Sequence, residues 1–294
     1  MRSLALSYEN SIPLVEVARR GLSLEAGDTL DPQHLPPAAA ELATSAHAPF
    51  CFPATTPHRR LNIAALDADW RRLSLECLED YFVRASRLPR IRKVIIHTAP
   101  RFWTTDGQLP QSTGEAKLLT VGDYAYLVDS IRRLAGVAAR LNLDIVLENN
   151  RAYWETVPPD VSFDQVERSL VPDCFATSPW EWLGLWRDVR RDNVRLCLDT
   201  CHAATVAHRF DGGQRREMLR AFLAEPQVIS HVHWNDNTLD DARGREDVHW
   251  ALGPGGLGDD FHRAIWNLPF ATLLLEHWYD LDTLDRELAY IAGL

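Results

Sequence analysis

The sequence has 294 residues, 46% of them hydrophobic, and a formal net charge of −10. A chain of that length buries a large core, as one barrel-sized domain or two average ones, and its acid excess argues against tight non-specific attachment to nucleic acid or anionic lipid. No apolar run approaches the length of a bilayer span, and the start "MRSLALSYENS" lacks the basic and apolar regions of a signal peptide. Cys51, Cys77, Cys174, Cys197 and Cys201 form no Cys-x-x-Cys pair, so neither a disulfide framework nor a cysteine zinc knuckle is signalled. The expectation is a cytoplasmic protein with free thiols and no membrane partner.

In chain order, apolar and β-branched runs predict strands at 4–8, 22–26, 44–48, 93–97, 143–148, 194–199, 228–234 and 272–277, the last five with the clearest pattern. Between the third and fourth, Trp70, Leu73, Cys77, Leu78, Tyr81, Phe82 and Ala85 mark one face of an amphipathic helix within 67–88. The stretch 121–142 repeats that stripe, and further helices fit 213–225 and 280–293. Residues 151–180, with four prolines, read as an insertion after the fifth strand, and "GPGGLG" (253–258) reads as a loop. Eight strand–helix units predict a single α/β domain over 1–294, a (β/α)8 TIM barrel whose chemistry clusters at the C-terminal strand ends, with the insertion at its mouth. The rival, a doubly wound open sheet, lacks a G-x-G-x-x-G or phosphate-loop sequence after any strand.

The strand ends carry one kind of residue. The third offers His47, the fourth His97, the fifth Glu148, the sixth Asp199 and His202, the seventh His231 and His233, and the eighth Glu276; the loop after the seventh adds Asp247 and His249. Singly, each reads as a hydrogen-bonded core histidine or a carboxylate capping the next helix. Together they converge on one barrel face, where buried carboxylates without a cation are costly. Imidazole and carboxylate without cysteine suit zinc, manganese or iron(II). Leaving His231 aside as a residue behind its neighbour His233, the remaining donors exceed what one ion takes and imply two or three.

The segments "CLDTCHA", "HVHWNDN", "EDVHWALGPGGLG" and "LLLEHW", with "HAPF", "VIIHTAP" and "LENN" before them, resemble the signature segments of the endonuclease IV family, trinuclear-zinc members of the xylose-isomerase-like barrels. The resemblance implies one metal on His47, His97 and Glu148, a second on Glu148, Asp199, His233 and Glu276, and a third on His202, Asp247 and His249. It further implies phosphodiester hydrolysis by a metal-activated hydroxide, a reaction clustered dications favour by acidifying water and neutralising phosphate charge. Sugar isomerases and epimerases of the same superfamily keep the core corresponding to Glu148, Asp199, His233 and Glu276, with the two glutamates moving protons; the added set His47, His97, Asp247 and His249 separates the two readings. A non-catalytic ligand-binding barrel is the third. The segment after Glu148, "NNRAYWETVPPD", departs from the endonuclease pattern and Phe50 is a weak counterpart of its DNA wedge, so the partner is expected to be a small phosphoester or a nucleic-acid phosphodiester, with DNA left open.

Trp103, Trp154, Trp234, Trp250 and Trp278 each follow a proposed ligand on the chain, either as packing for the rim or as an aromatic wall for substrate. Trp154 and Trp250, with Arg151 and Arg245, are the expected substrate contacts, and Arg101 and Arg243 are further candidates for clamping phosphate. His58, His208, His262 and His277 fall outside the motif and read as structural.

Overall fold

The structure, a computed structural model, describes the chain except residues 1–2, 9–11, 28–34, 53–59, 105–117, most of 155–172, 254–255 and 278–279. Its elements run β1 (Ser3–Ser7), α1 (Leu14–Arg19), β2 (Ser23–Ala26), α2 (Pro37–Leu42), β3 (Ala43–His47), α3 (Ala68–Ala85), β4 (Lys93–His97), β5 (Phe102–Thr104), β6 (Leu118–Thr120) and α4 (Tyr124–Arg140). They continue β7 (Asp144–Glu148), α5 (Pro179–Val189), β8 (Val194–Asp199), α6 (Thr200–Ala207), α7 (Gly212–Ala221), β9 (Ile229–Trp234), α8 (Asp259–Trp266), β10 (Thr272–Leu275) and α9 (Leu281–Ala292).

Strands β1, β2, β3, β4, β7, β8, β9 and β10 close into a parallel barrel, each paired with its neighbours in chain order and β10 with β1. All eight expected strands are present, two of them shifted by one residue towards the N-terminus and four trimmed at an end. An antiparallel hairpin of β5 and β6 interrupts the βα alternation after β4; no sequence period announced it. Much of the expected insertion lies outside the described residues, and its last two positions begin α5.

Side chains cap the helices where the expected boundaries fall. Asp67 accepts from the Trp70 amide at the start of α3, Asp123 from Ala125 and Tyr126 at α4, Ser178 from Glu181 at α5 and Asp280 from Thr283 at α9. Such a cap is worth about 1 kcal/mol. The larger contribution is the apolar layer between strands and helices, where Tyr81, Phe82, Leu127, Ile131, Leu134 and Trp182 are fully buried, each contributing roughly 1.5–3 kcal/mol.

The barrel interior is different. Alternation turns every second strand residue inward, and Ile95, Val146 and Cys197 form a separate small apolar plug there. Two residues further along the same strands come His97, Glu148 and Asp199. The register pairs His97 with Glu148 and Asp199 with His233, bringing these polar side chains to the C-terminal ends of adjacent strands. Among the described residues, no helix is long and apolar enough to cross a membrane.

Candidate metal centre

Glu148, at the end of β7, is the hub. Its Oε2 lies 3.1 Å from His47 Nε2 and 3.5 Å from His97 Nε2, whereas its Oε1 lies 3.2 Å from His233 Nδ1 and 3.4 Å from His202 Nδ1. One carboxylate therefore presents its two oxygens to different sets of imidazoles. His233 Nδ1 also stands 3.3 Å from Glu276 Oε2 and 3.7 Å from Asp199 Oδ2.

Asp199 has two tasks. Its Oδ1 accepts from the His202 amide at 2.8 Å and so caps α6, the bland role open to a carboxylate at a strand end. Its Oδ2 is buried and accepts no hydrogen bond among the described residues, 3.7 Å from His233 Nδ1 and 3.8 Å from His202 Nδ1. A buried carboxylate oxygen in that state is costly. A coordinated cation is the partner that these nitrogen and oxygen donors fit.

The third group gathers around Asp247. His202 donates through Nδ1 to the Asn149 carbonyl at 2.8 Å, which turns its Nε2 towards Asp247 Oδ2 at 3.3 Å. His249 likewise donates through Nδ1 to the Glu276 carbonyl at 2.9 Å and points Nε2 at Asp247 Oδ1, 2.9 Å away. In both rings a backbone acceptor on one nitrogen selects the nitrogen left for a ligand role. Ligand atoms of Asp199, His202, Asp247 and His249 all lie within 4.8 Å of one another, as do those of His47, Glu148 and His233, and of Asp199, His233 and Glu276.

The loop that carries Asp247 and His249 is braced at its base by reciprocal backbone hydrogen bonds between Asp236 and Trp250, 2.8 and 3.1 Å. Asp236 Oδ1 further accepts from the Asn237 amide at 2.9 Å. Gly244 lets the loop close: a Cβ there would fall 1.9 Å from His208 Nε2 and 2.0 Å from the Thr238 carbonyl. His249 adopts φ 45°, a left-handed conformation uncommon outside glycine and stored where the surroundings hold it.

The carboxylates generate a strong field. Burial alone would lower His202, yet Asp199 and Asp247 outweigh it and lift the imidazole to about 10. Burial also opposes charge on His233 and His249; Cys197, Glu276 and Glu148 around the first, and Glu276 and Asp247 beside the second, hold both well above the ordinary value. His97 moves the other way: burial, reinforced by His47, His202 and Arg60, brings it down to about 3 against the pull of Glu148. Glu276 is raised by burial. A site that stabilises positive charge on several buried imidazoles also stabilises a cation held among them.

The structure brings all nine expected ligands to one end of the barrel and adds a residue that sequence reasoning missed. Glu25, on β2, is 3% exposed. Its Oε1 lies 3.3 Å from His233 Nε2, its Oε2 lies 3.0 Å from His231 Nε2, and Ser45 Oγ donates to it at 2.8 Å. The carboxylate stands behind His233 and favours a proton on Nε2, leaving Nδ1 for the cluster. Its place near the end of the second strand was the available signal. We expect Glu25→Gln to weaken metal binding roughly 10–100-fold with the fold retained by circular dichroism; unchanged metal affinity in a competition titration would remove Glu25 from this role.

The expected substrate contacts divide. Trp154 and Arg245 are each 6% exposed, and the Arg245 guanidinium lies 4.7 Å from the Trp154 ring centroid. Trp154 Nε1 donates to the Thr205 carbonyl and Arg245 Nη2 to the Val161 carbonyl, both at 2.9 Å. They pack into the wall rather than stand free, with Ala152 and Trp154 hydrogen-bonded to Thr205 of α6. Trp250 is half-buried with Arg243 over its ring, and Arg151 lies over the Tyr153 ring. Arg101 pairs with Glu181 and Arg243 with Asp241, so neither is a free phosphate clamp. Trp234 is fully buried and stacks on Trp266. Trp278, His58 and the Trp103 side chain lie outside the described residues. His208, His262 and His277 make internal hydrogen bonds to the Thr238 carbonyl, Trp234 and Glu287.

Fold and site together define a TIM barrel with candidate metal-binding groups at the C-terminal ends of its strands. Residues 28–294 match the family model of the xylose isomerase-like TIM barrel, and the chain belongs to that family. No curated protein matches the sequence. Among solved structures, a D-tagatose 3-epimerase-like protein is similar at 17% identity and TM-score 0.64, covering 99% of this chain and 98% of its own. The 3-keto-D-glucoside 4-epimerase of E. coli covers all of both chains at 13% identity and TM-score 0.64. The IolI protein with a bound zinc atom reaches 17% identity and TM-score 0.62, over 99% of this chain and 98% of its own. The expected kinship thus holds at the level of the family. Two of these three structures are epimerases or epimerase-like by title, and the narrower likeness to endonuclease IV rests on the ligand motifs.

Proposed function

We propose that this chain is a metal-dependent enzyme with a multinuclear centre that hydrolyses a phosphoester. The observation that carries the reading is the division of labour in the donor set: Glu148 faces two groups of imidazoles, and Asp199, His202, Asp247 and His249 make a further group beyond them. His47, His97 and Glu148 would hold one ion, Glu148, Asp199, His233 and Glu276 a second, and His202, Asp247 and His249 a third. Zinc suits this set best and manganese or iron(II) also fit. Dications so held supply Lewis acidity, which acidifies water and neutralises charge growing on phosphate oxygens.

The protein's own groups do the positioning. The Asn149 and Glu276 carbonyls fix the rings of His202 and His249, Glu25 backs His233, and Asp199 is locked by capping α6. Glu276, raised by burial, would give up its proton to join the second donor group, since a carboxylate ligand holds a cation in its deprotonated form.

A second reading, single-metal epimerisation or isomerisation of a sugar, has better support than hydrolysis from the similar solved structures. The solved relatives named above include two epimerase titles, and Glu148 and Glu276 approach the same His233 nitrogen at 3.2 and 3.3 Å, as a pair exchanging protons with a chelated hydroxyketone would. Metal counting separates the readings. Elemental analysis with anomalous scattering is expected to find about three ions per chain, given about four donors for each. One ion confined to Glu148, Asp199, His233 and Glu276 would overturn hydrolysis in favour of isomerisation, and activity on phosphoesters against ketoses completes the comparison.

A further inference from the structure

Several arginines around the mouth are neutralised: Arg101 by Glu181, Arg209 by Asp173 and Arg243 by Asp241. Arg60 is not, since no carboxylate of a described residue stands within ion-pair distance of it. Its Nη1 donates to the Tyr153 hydroxyl and lies 3.9 Å from Cys174 Sγ. Its guanidinium carbon is 5.5 Å from the ring centroid of Phe50 and 5.5 Å from that of Tyr153. Phe50 in turn meets the His97 ring edge-on at 5.6 Å, and Phe50, Arg60, His97 and Thr98 line one cavity. A second guanidinium, that of Arg151, lies 4.6 Å from the centre of the same Tyr153 ring.

Two cations thus share one tyrosine beside a ligand of the metal centre, in a chain whose net charge is −10. A phenol and a thiol engage little of the five-donor fork of an arginine, and holding its half-buried charge without an anion is unfavourable. Aromatic rings hold the guanidinium plane in place without neutralising it.

We propose that Arg60 is an anion-binding residue that receives a phosphate group of the substrate beside the His47 and His97 end of the centre. The inference rests on the reading above only in placing substrate at this end of the barrel. It narrows the substrate to one carrying an oxyanion, since a neutral sugar would leave the guanidinium without its partner. Sequence reasoning singled out Arg101, Arg151, Arg243 and Arg245 and passed over Arg60, which lies outside every ligand segment and reaches the site only through the fold.

The test is calorimetric titration of the metal-loaded, full-length protein with inorganic phosphate, comparing wild type with Arg60→Gln and measuring metal content on each sample. Arg60→Gln is expected to bind phosphate roughly tenfold or more weakly, the loss of a charge-assisted hydrogen bond, with metal content unchanged. Equal affinities, or no phosphate binding by wild type, would overturn the proposal. Wild-type protein that carries no metal yet binds phosphate through Arg60 would defeat the metal-centre reading and support this one. A second readout does not depend on Arg60→Gln folding: the Arg60 Nε–Hε NMR resonance of wild type, assigned by its absence in Arg60→Lys, should shift on phosphate addition. A stationary resonance counts against the site.

Discussion

Glu148→Gln is expected to lose the ions of two donor groups together while the third stays loaded. The substitution keeps the volume and removes the charge that faces His47 and His97 through Oε2 and His233 and His202 through Oε1. Breaking a buried charged interaction costs about 3–5 kcal/mol, so affinity at each dependent group should fall roughly 10²–10⁴-fold. His202, Asp247 and His249 keep their mutual contacts and their backbone acceptors. After dialysis, elemental analysis should therefore fall from about three ions to about one, with activity reduced at least in proportion. Wild-type metal content in Glu148→Gln would show that Glu148 bridges nothing.

The second large effect separates Asp199 from His202, residues three apart in "LDTCH". His202→Ala is expected to remove the ion of the Asp247 group alone and to leave the Glu148, Asp199, His233 and Glu276 group occupied. Asp199→Asn should do more. Asparagine caps a helix as well as aspartate does, so α6 keeps its start, but the charge at Oδ2 is lost between His233 and His202. Both adjoining groups lean on that oxygen, and both should weaken roughly 10²-fold or more, by the same argument from a broken buried pair. Site-resolved occupancies from anomalous scattering distinguish the outcomes. If His202→Ala also empties the group around His233, the donors form one coupled unit and the division into separate groups fails.

Much of the barrel was legible because its signals are local. Apolar runs separated by amphipathic stripes announce βα units, and Asp67, Asp123 and Asp280 mark helix starts by chemistry that needs only the next three residues. The convergence of the nine candidate donors was legible for a related reason: a barrel gathers the ends of its strands, so residue type plus position on a strand implies convergence. The resemblance of the motif segments added an expectation of which donors would share an ion.

The tertiary structure decided what depends on contacts between distant segments. Glu25 was invisible in its role because a lone glutamate on a weak strand gains meaning only when β2 brings it within 3.3 Å of His233. Trp154 and Arg245 had the composition of a substrate wall, but both side chains are buried, and burial depends on path rather than on residue type. Asp199 is the clearest case. Sequence offered a cap or a ligand as alternatives, and the structure shows one oxygen engaged in the cap while the other is buried among imidazoles. Which side chains reach the strand ends is thus a property of sequence period, read along the chain. Which atom of each faces which neighbour is a property of barrel closure, and only the closed barrel settles it.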